Sequence, residues 1–401
     1  MKLIIRQEYT DRIKPFINKP LIKVLTGQRR VGKSYIMVQL MNQIRNMQKG
    51  ANIVYINMEL EEYAGIRTHI DLTRYVKDKF IKGKKNYFFI DEVQEVEGFE
   101  RTLRSLLAKN TCDIYCTGSN ARMLSGELAT HLAGRYLTVQ VHSLSYLEFL
   151  TFHGLQNIFE SLLQYLKYGG MPFLPNIGLK DDLPFEYLKN VYSTILLKDV
   201  VARENIRHVS FLENLVRYLA DNVGSLFSAN NISKYLKSQR VDVSPQLTLN
   251  YLKALSNSYF VYKVERAEVG GLKIFEIGEK YYFEDMGLRN TITGFHQRAD
   301  MHKLLENAIY LHLVQQGFKV YVGKLGDKEI DFMAEKDGAK VYIQACLTLY
   351  EQETARREFG NLLQINDNYP KYVITLNDSI IGENEGGILH KNLIDFLSMT
   401  L

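Results

Sequence analysis

Residues 27–34 read GQRRVGKS, a complete G-x-x-x-x-G-K-[ST] spacing, and the segments on either side restrict what such a loop can belong to. Before it, LIKVLT (21–26) is β-branched and apolar like a buried strand. After it, YIMVQLMNQIRNMQ (35–48) repeats apolar residues at Ile36, Leu40, Ile44 and Met47, a helical period, and Gly50 supplies a stop. Strand, glycine loop and helix in that order form a phosphate cradle. Gly27 and Gly32 let the backbone of Gln28, Arg29, Arg30 and Val31 curl with its N–H groups inward. Lys33 then reaches the outer phosphates and the Ser34 hydroxyl ligates Mg2+.

A second segment, YFFIDE (87–92), runs four apolar residues into two carboxylates. Such a run suits a strand buried on both faces, which delivers Asp91 and Glu92 to the carboxyl edge of a parallel sheet. There Asp91 would hold Mg2+ through water. Glu92 would polarise the water attacking the γ-phosphate, since phosphoryl transfer needs a positioned nucleophile more than covalent chemistry. Without the phosphate loop the pair would read as a solvated strand end.

A third strand, DIYCTGSN (113–120), ends in Ser119 and Asn120, residues that serve either a turn or a γ-phosphate sensor. Farther on, HLAGRYLTVQVH (131–142) sets Arg135 before another alternating strand. Its guanidinium could meet the phosphates of its own or a neighbouring subunit, although a solvated arginine is the default.

GQRRVGKS, FIDEVQ, CTGSN, LAGR (132–135) and HSLSYLEFL (142–150) together resemble one group of prokaryotic AAA-type P-loop ATPases. GGMP (169–172), LLKDVVARENI (196–206) and a C-terminal region known only as a domain of unknown function extend the likeness over nearly the whole chain. The resemblance implies ATP as the nucleotide and an ASCE-type sheet with a strand inserted between the P-loop strand and the Asp91 strand. It carries Lys33, Ser34, Asp91 and Glu92 over as site residues, with Asn120 as sensor and Arg135 as finger. Gln28 stands where relatives often have proline, which a backbone-mediated cradle should tolerate.

A chain of 401 residues, 46% of them apolar, has ample material for two to three packed domains. Three cysteines are too few for a disulfide framework, and Cys112 and Cys116 flank a strand where a small apolar role outweighs metal ligation. LII (3–5) is too short for a signal-peptide core and no apolar run reaches membrane length, so a cytoplasmic protein without a membrane partner is expected. Fifty Lys and Arg against 45 Asp and Glu permit nucleic-acid contact without demanding it.

Pattern changes divide the chain into four parts. Alternating strands and helices to residue 142 form the P-loop domain, and helical spacing over 143–210, broken by GGMPFLPNIG, forms a lid or linker. Residues 211–299 read helix, helix, helix, hairpin, the order of a winged helix. In its third helix Ser244 caps, Leu247, Leu249, Leu252 and Leu255 mostly face the core, and Gln246, Thr248, Asn250 and Lys253 are exposed. These exposed residues suit a DNA major groove, making 244–258 the candidate DNA contact; many winged helices instead bind only protein. Residues 300–401 resemble the restriction-endonuclease-like PD-(D/E)xK core. Glu306 and Asp331 match its pattern, but Gln344 and Cys346 occupy the Glu-x-Lys positions. A nuclease-like fold without ordinary nuclease activity is expected, with Glu306 and Asp331 read as a helix-face acid and a solvated strand end.

The expected fold is therefore α/β: a P-loop NTPase parallel sheet, a helical and winged-helix region, and a C-terminal nuclease-like α/β part. The expected function is Mg2+-dependent ATP hydrolysis moving the later modules, with DNA or a protein as partner and oligomers allowed. A slow nucleotide-state switch acting on a protein partner competes with it. An ATP-dependent nuclease is disfavoured by Gln344 and Cys346.

Overall fold

The computed structural model describes residues 4–121, 134–180, 182–238, 244–271, 274–376 and 384–401. The chain forms two compact units, one of residues 1–142 with 257–259 and one of 143–256 with 260–401.

In the first unit α1 (Gln7–Ile13) precedes β1 (Ile22–Thr26), α2 (Lys33–Met47), β2 (Asn52–Asn57) and α3 (His69–Lys79). Then come β3 (Asn86–Asp91), α4 (Phe99–Lys109), β4 (Asp113–Gly118) and β5 (Tyr136–Gln140). Among the described residues these strands make one parallel sheet in the order β2-β3-β4-β1-β5. The inserted strand is thus β4, lying between the P-loop strand β1 and the Asp91 strand β3. Every residue of β1, β3 and β4 is buried, as a sheet covered on both faces requires. Ile22, Val24, Phe88, Ile90 and Ile114 share one core with Leu72 of α3 and Leu103 of α4, and Cys116 lies in it. The helix after the loop ends at Met47, three residues before Gly50, whose φ of +86° shapes the following turn.

The second unit opens with α5 (Tyr146–His153), α6 (Phe159–Tyr168) and α7 (Leu183–Thr194), the last continuing as a π-helix over Ile195–Ala202. The glycines of GGMP have a steric reason: a Cβ on Gly169 would lie 2.3 Å from Asp285 Oδ1, and one on Gly170 would lie 2.4 Å from the Leu144 carbonyl oxygen. Next come α8 (Val209–Asp221), α9 (Ala229–Ser238) and α10 (Pro245–Asn257). The hairpin of β6 (Val261–Glu268) and β7 (Ile274–Phe283) follows, and Phe227, between α8 and α9, bridges to Glu279 of β7. After α11 (Met286–Thr293) and α12 (Gln297–Gln315) come β8 (Lys319–Leu325), β9 (Lys328–Lys336), β10 (Ala339–Cys346), α13 (Gln352–Leu363) and β11 (Lys371–Thr375). The chain closes with β12 (Asn384–Glu385), β13 (Ile388–Asn392) and α14 (Leu393–Ser398).

The last hundred residues run helix, three antiparallel strands, helix, parallel strand. The boundary expected at residue 300 is nonetheless absent as a break between compact units. β6 pairs in parallel with β8, Arg266 opposite Val322, so the hairpin continues an eight-stranded sheet of order β12-β13-β11-β10-β9-β8-β6-β7 among the described residues. Ala267 and Val269 complete the same apolar core as Ile330, Met333 and Tyr342, which is why hairpin and sheet do not separate.

Two expected surface assignments change. In α10 Thr248 is buried, its hydroxyl on the Ser244 carbonyl, while Leu249 is 42% exposed. Glu306 is 2% exposed rather than a solvated helix-face acid. Among the described residues no helix is long and apolar enough to cross a membrane.

Candidate functional site

Parallel pairing sets the ends of β1, β3 and β4 along one edge, Thr26 opposite Gly118 and Ile90 opposite Cys116. Gly27, Asp91, Thr117 and Ser119 therefore converge without long side chains having to reach. The loop itself turns through left-handed backbone at Gly27 (φ +139°), Arg30 (φ +71°) and Gly32 (φ +96°), the last of these capping α2. Alternating handedness of this kind turns successive N–H groups to one side, and the N-terminus of α2 adds its dipole, so the loop suits an anion.

A Cβ on Gly27 would lie 2.1 Å from the carbonyl oxygen of Val141, just past β5, whose N–H donates to Thr26 O at 2.7 Å. Gly27→Ala is accordingly expected to push the loop from β5 and weaken ATP binding by about ten-fold or more. Equilibrium titration of a fluorescent ATP analogue checks this, and unchanged affinity would contradict it.

Lys33 is 4% exposed and its ammonium donates to the carbonyls of Gly27 and Gln28, both at 2.9 Å, with Glu92 Oε1 3.9 Å away. The Ser34 hydroxyl hydrogen-bonds the Asp91 carboxylate. Thr117 from β4 serves both acids: its hydroxyl donates to Asp91 Oδ1 and accepts the Glu92 N–H at 2.9 Å. Glu92 adopts φ +54°, a conformation that costs a non-glycine residue on the order of 1 kcal/mol and recurs where geometry serves function. Its Oε2 accepts from the Ser119 hydroxyl at 3.1 Å and from the Gln94 amide.

The two acids differ in electrostatics. Burial raises the Asp91 pKa above the ordinary aspartate value, against Ser34 and Thr117, whose hydrogen bonds favour the anion. Burial acts the same way on Glu92, but the charges of Lys33 and Arg29 and the bonds from Gln94 and Ser119 outweigh it and hold this carboxyl below the usual glutamate range. Glu92 is thus ionised at neutral pH. The residues present fit a nucleotide with its magnesium: an anion-shaped loop, a buried lysine, and a hydroxyl beside a carboxylate of the oxygen chemistry Mg2+ takes.

Sequence reasoning missed three contributors, Thr117, Gln94 and Arg6, and named Ser119 only as a turn or sensor residue. Ser119, one residue before the expected sensor Asn120, reaches Glu92; Asn120 is itself buried at the end of β4. Thr117 and Gln94 fix the carboxylates. Arg6, 3% exposed, donates to the carbonyls of Val31 and His142, each at 2.9 Å, and so ties the back of the loop to the chain after β5. The full burial of Gln28 was also unforeseen, with both side-chain amide atoms unpaired among the described residues.

Arg135 is exposed and lies at the opposite edge. Its carbonyl accepts the N–H of Ile22, and Tyr136 pairs with Ile22 at the start of β1. The loop begins five residues along that strand, about 16 Å away. Of the two roles expected for Arg135, contact with the phosphates of its own subunit does not fit. The Leu132 and Ala133 of LAGR lie outside the described residues.

A family model described as an AAA domain matches residues 19–150, and one described as a domain of unknown function matches residues 159–299. An uncharacterized protein of Haemophilus influenzae is 34% identical over 379 residues, covering 93% of each chain. The uncharacterized protein MJ1544 of Methanocaldococcus jannaschii is 29% identical, over 89% of this chain and 82% of that one. Among solved structures, the Thermotoga maritima RuvB Holliday junction branch migration motor aligns at 11% identity and a TM-score of 0.36, covering 75% of this chain and 94% of that one. The β4 insertion, the loop geometry and the near full-length relative agree: the chain belongs to the prokaryotic AAA-type P-loop ATPase family, an AAA domain followed by a domain of unknown function.

Proposed function

We propose that the first unit binds ATP with Mg2+ at residues 27–34 and Asp91 and hydrolyses it, Glu92 aligning the attacking water and taking its proton. The observation that carries this is the meeting of Lys33, Ser34, Asp91 and an ionised Glu92 at one sheet edge. Lys33, held now by loop carbonyls, transfers to the outer phosphates. Ser34 and Asp91 hold the ion, and charge neutralisation on the phosphate oxygens is the chemistry that ion supplies when bound. Ser119, with Asn120 beside it, senses the γ-phosphate, and Arg135 completes a neighbouring subunit's site in an oligomer.

The cargo side of the proposal rests on the second unit. The order of helices α8, α9 and α10, the β6–β7 hairpin and the Phe227 bridge to that hairpin support reading this region as a winged helix. Gln246, Asn250 and Lys253 lie exposed on α10, with Lys234 and Lys237 exposed on α9. Amides read adenine edges and lysines meet phosphates, so DNA is the partner this face fits. ATP turnover measured with and without duplex DNA at fixed salt tests the coupling. Stimulation that Lys33→Ala abolishes and Lys253→Glu weakens is expected, and turnover indifferent to DNA would end it. If Arg135 acts in trans, mixing inactive Arg135→Ala and Glu92→Gln subunits restores part of the turnover.

One observation favours the slow-switch reading. Glu92 is already engaged by Ser119, Gln94 and nearby Lys33, so it must be released before it can serve water. Basal turnover without a partner is therefore expected to be slow, as the switch reading requires, and nucleotide-dependent protein binding without DNA stimulation would select the switch.

A further inference from the structure

The second unit buries a knot of opposite charges that nucleotide chemistry does not use. Lys280 on β7 is 2% exposed, and its ammonium lies 3.0 Å from Glu329 Oε1, 3.4 Å from Glu306 Oε2 and 3.5 Å from Asp331 Oδ1. Glu306 comes from α12 and the other two acids from β9, so three elements of the unit close on one nitrogen. An ammonium has three N–H groups, one for each carboxylate. Further groups engage these carboxylates, and Glu306 Oε1 lies 3.5 Å from His302 Nε2. Tyr282 donates to Glu306 Oε2 at 2.9 Å, and the Ala345 N–H donates to Asp331 Oδ2 at 2.9 Å. A Cβ on Gly224 would fall 2.5 Å from Glu306 Oε2, so this glycine seals the cluster on the α8 side.

Three carboxylates facing one point are what a hard divalent cation selects, and Glu306 and Asp331 are the acids that the nuclease-like pattern assigns to one. The residues present nevertheless do not fit a metal. The point is filled by a covalently tethered cation. Gln344, a neutral amide where the pattern has a carboxylate, has its oxygen on the Asp331 N–H at 2.7 Å and its amide nitrogen on Glu358 at 2.9 Å, so it brings no charge to an ion. Among the described residues no group of three or more His, Cys, Asp or Glu is arranged to hold a metal.

We propose that Lys280 is a built-in cation in the place of a divalent ion, closing a latent metal site and making the second unit a metal-independent body rather than a nuclease. Burial opposes the charge on Lys280, but Glu306, Asp331 and Glu329 raise its pKa above the ordinary lysine value, so the ammonium persists across the physiological range. Metal can then enter only where the lysine is removed.

Terbium luminescence tests this, because Tyr282 touches Glu306 and tyrosine sensitises Tb3+. The full chain carries Asp91→Asn throughout, which removes the carboxylate beside Tyr55 in the nucleotide site. With Lys280 intact, no saturable signal that depends on Asp331 is expected. Lys280→Ala should bind Tb3+ at least ten-fold more tightly than the Lys280 protein, Mn2+ should compete and raise its melting temperature, and a further Asp331→Asn should abolish both effects. A folded Lys280→Ala protein that gains no ion binding would overturn the proposal, as would Asp331-dependent binding with Lys280 present. Should Lys280→Ala fail to fold, the charge imbalance is the expected cause, and Lys280→Met with Glu306→Gln should restore folding. Failure of that rescue would also refute it.

Discussion

Glu92→Gln is expected to cut ATP turnover by on the order of 100-fold or more while leaving ATP affinity unchanged or tighter. The amide keeps the shape of the side chain and an oxygen for Ser119 and Gln94 to bond, so the Thr117 contact to the residue 92 N–H and the loop should survive. What disappears is the anion that Lys33 and Arg29 hold ionised. The two acids also separate in pH. The lowered Glu92 pKa keeps the base competent until the pH falls through that depressed value. Asp91, raised by burial, takes up its proton first as acid is added. The Mg2+ concentration required for half-maximal turnover should therefore rise on acidification before the maximal rate falls. Steady-state rates against Mg2+ at several pH values, with nucleotide affinity measured separately, check both statements. A Glu92→Gln protein retaining more than a tenth of wild-type turnover would remove Glu92 from the chemistry.

The part of this site legible in the sequence is the part built from contiguous residues. Eight positions in a row make the loop, and an apolar run ending in Asp91 and Glu92 announces a buried strand whose acids lie at its edge. Thr117 and Arg6 were not legible, because each acts through a strand or loop partner that no local period encodes, and Ser119 was legible as a turn or sensor residue but not as a partner of Glu92. The same reason hid the pairing of β6 with β8, residues some fifty positions apart that share a ladder only through the core behind Ala267 and Val269. In α10 the helix itself was legible and its phase was not. An alternation of leucines with polar residues over 247–250 fits more than one rotation, and packing chose the one that buries Thr248 and exposes Leu249. Lys280 sits in an aromatic run of β7, and only the convergence of α12 and β9 upon it distinguishes a buried ion from an exposed one.

Arg289→Ala should destabilise the second unit by about 3–5 kcal/mol, the range for removing one partner of a buried ion pair. Arg289 is 1% exposed, and its guanidinium is divided among three acceptors: Ala220 O at 2.8 Å, Asn290 Oδ1 at 3.0 Å and Asp300 Oδ1 at 2.8 Å. It thereby ties the end of α8 to α11 and to the first turn of α12. Asp300 is itself 4% exposed and accepts the His296 N–H at 2.9 Å, so alanine would leave a buried carboxylate with only Lys303, at 3.5 Å, as counter-charge. Lysine at 289 keeps the charge but lacks the planar fork and should recover only part of the loss. Burial opposes ionisation of Asp300, but the Arg289 and His296 hydrogen bonds hold its pKa below the ordinary value. Its contribution is present above the unfolded-state pKa and is lost as the pH falls through the folded one. The gap between wild type and Arg289→Ala should accordingly narrow below about pH 4. Urea unfolding followed by tyrosine fluorescence measures this, the chain having 26 tyrosines and no tryptophan. A loss under about 1 kcal/mol at neutral pH would mean that the three acceptors are satisfied without Arg289, and that the junction of α8, α11 and α12 is held by apolar packing alone.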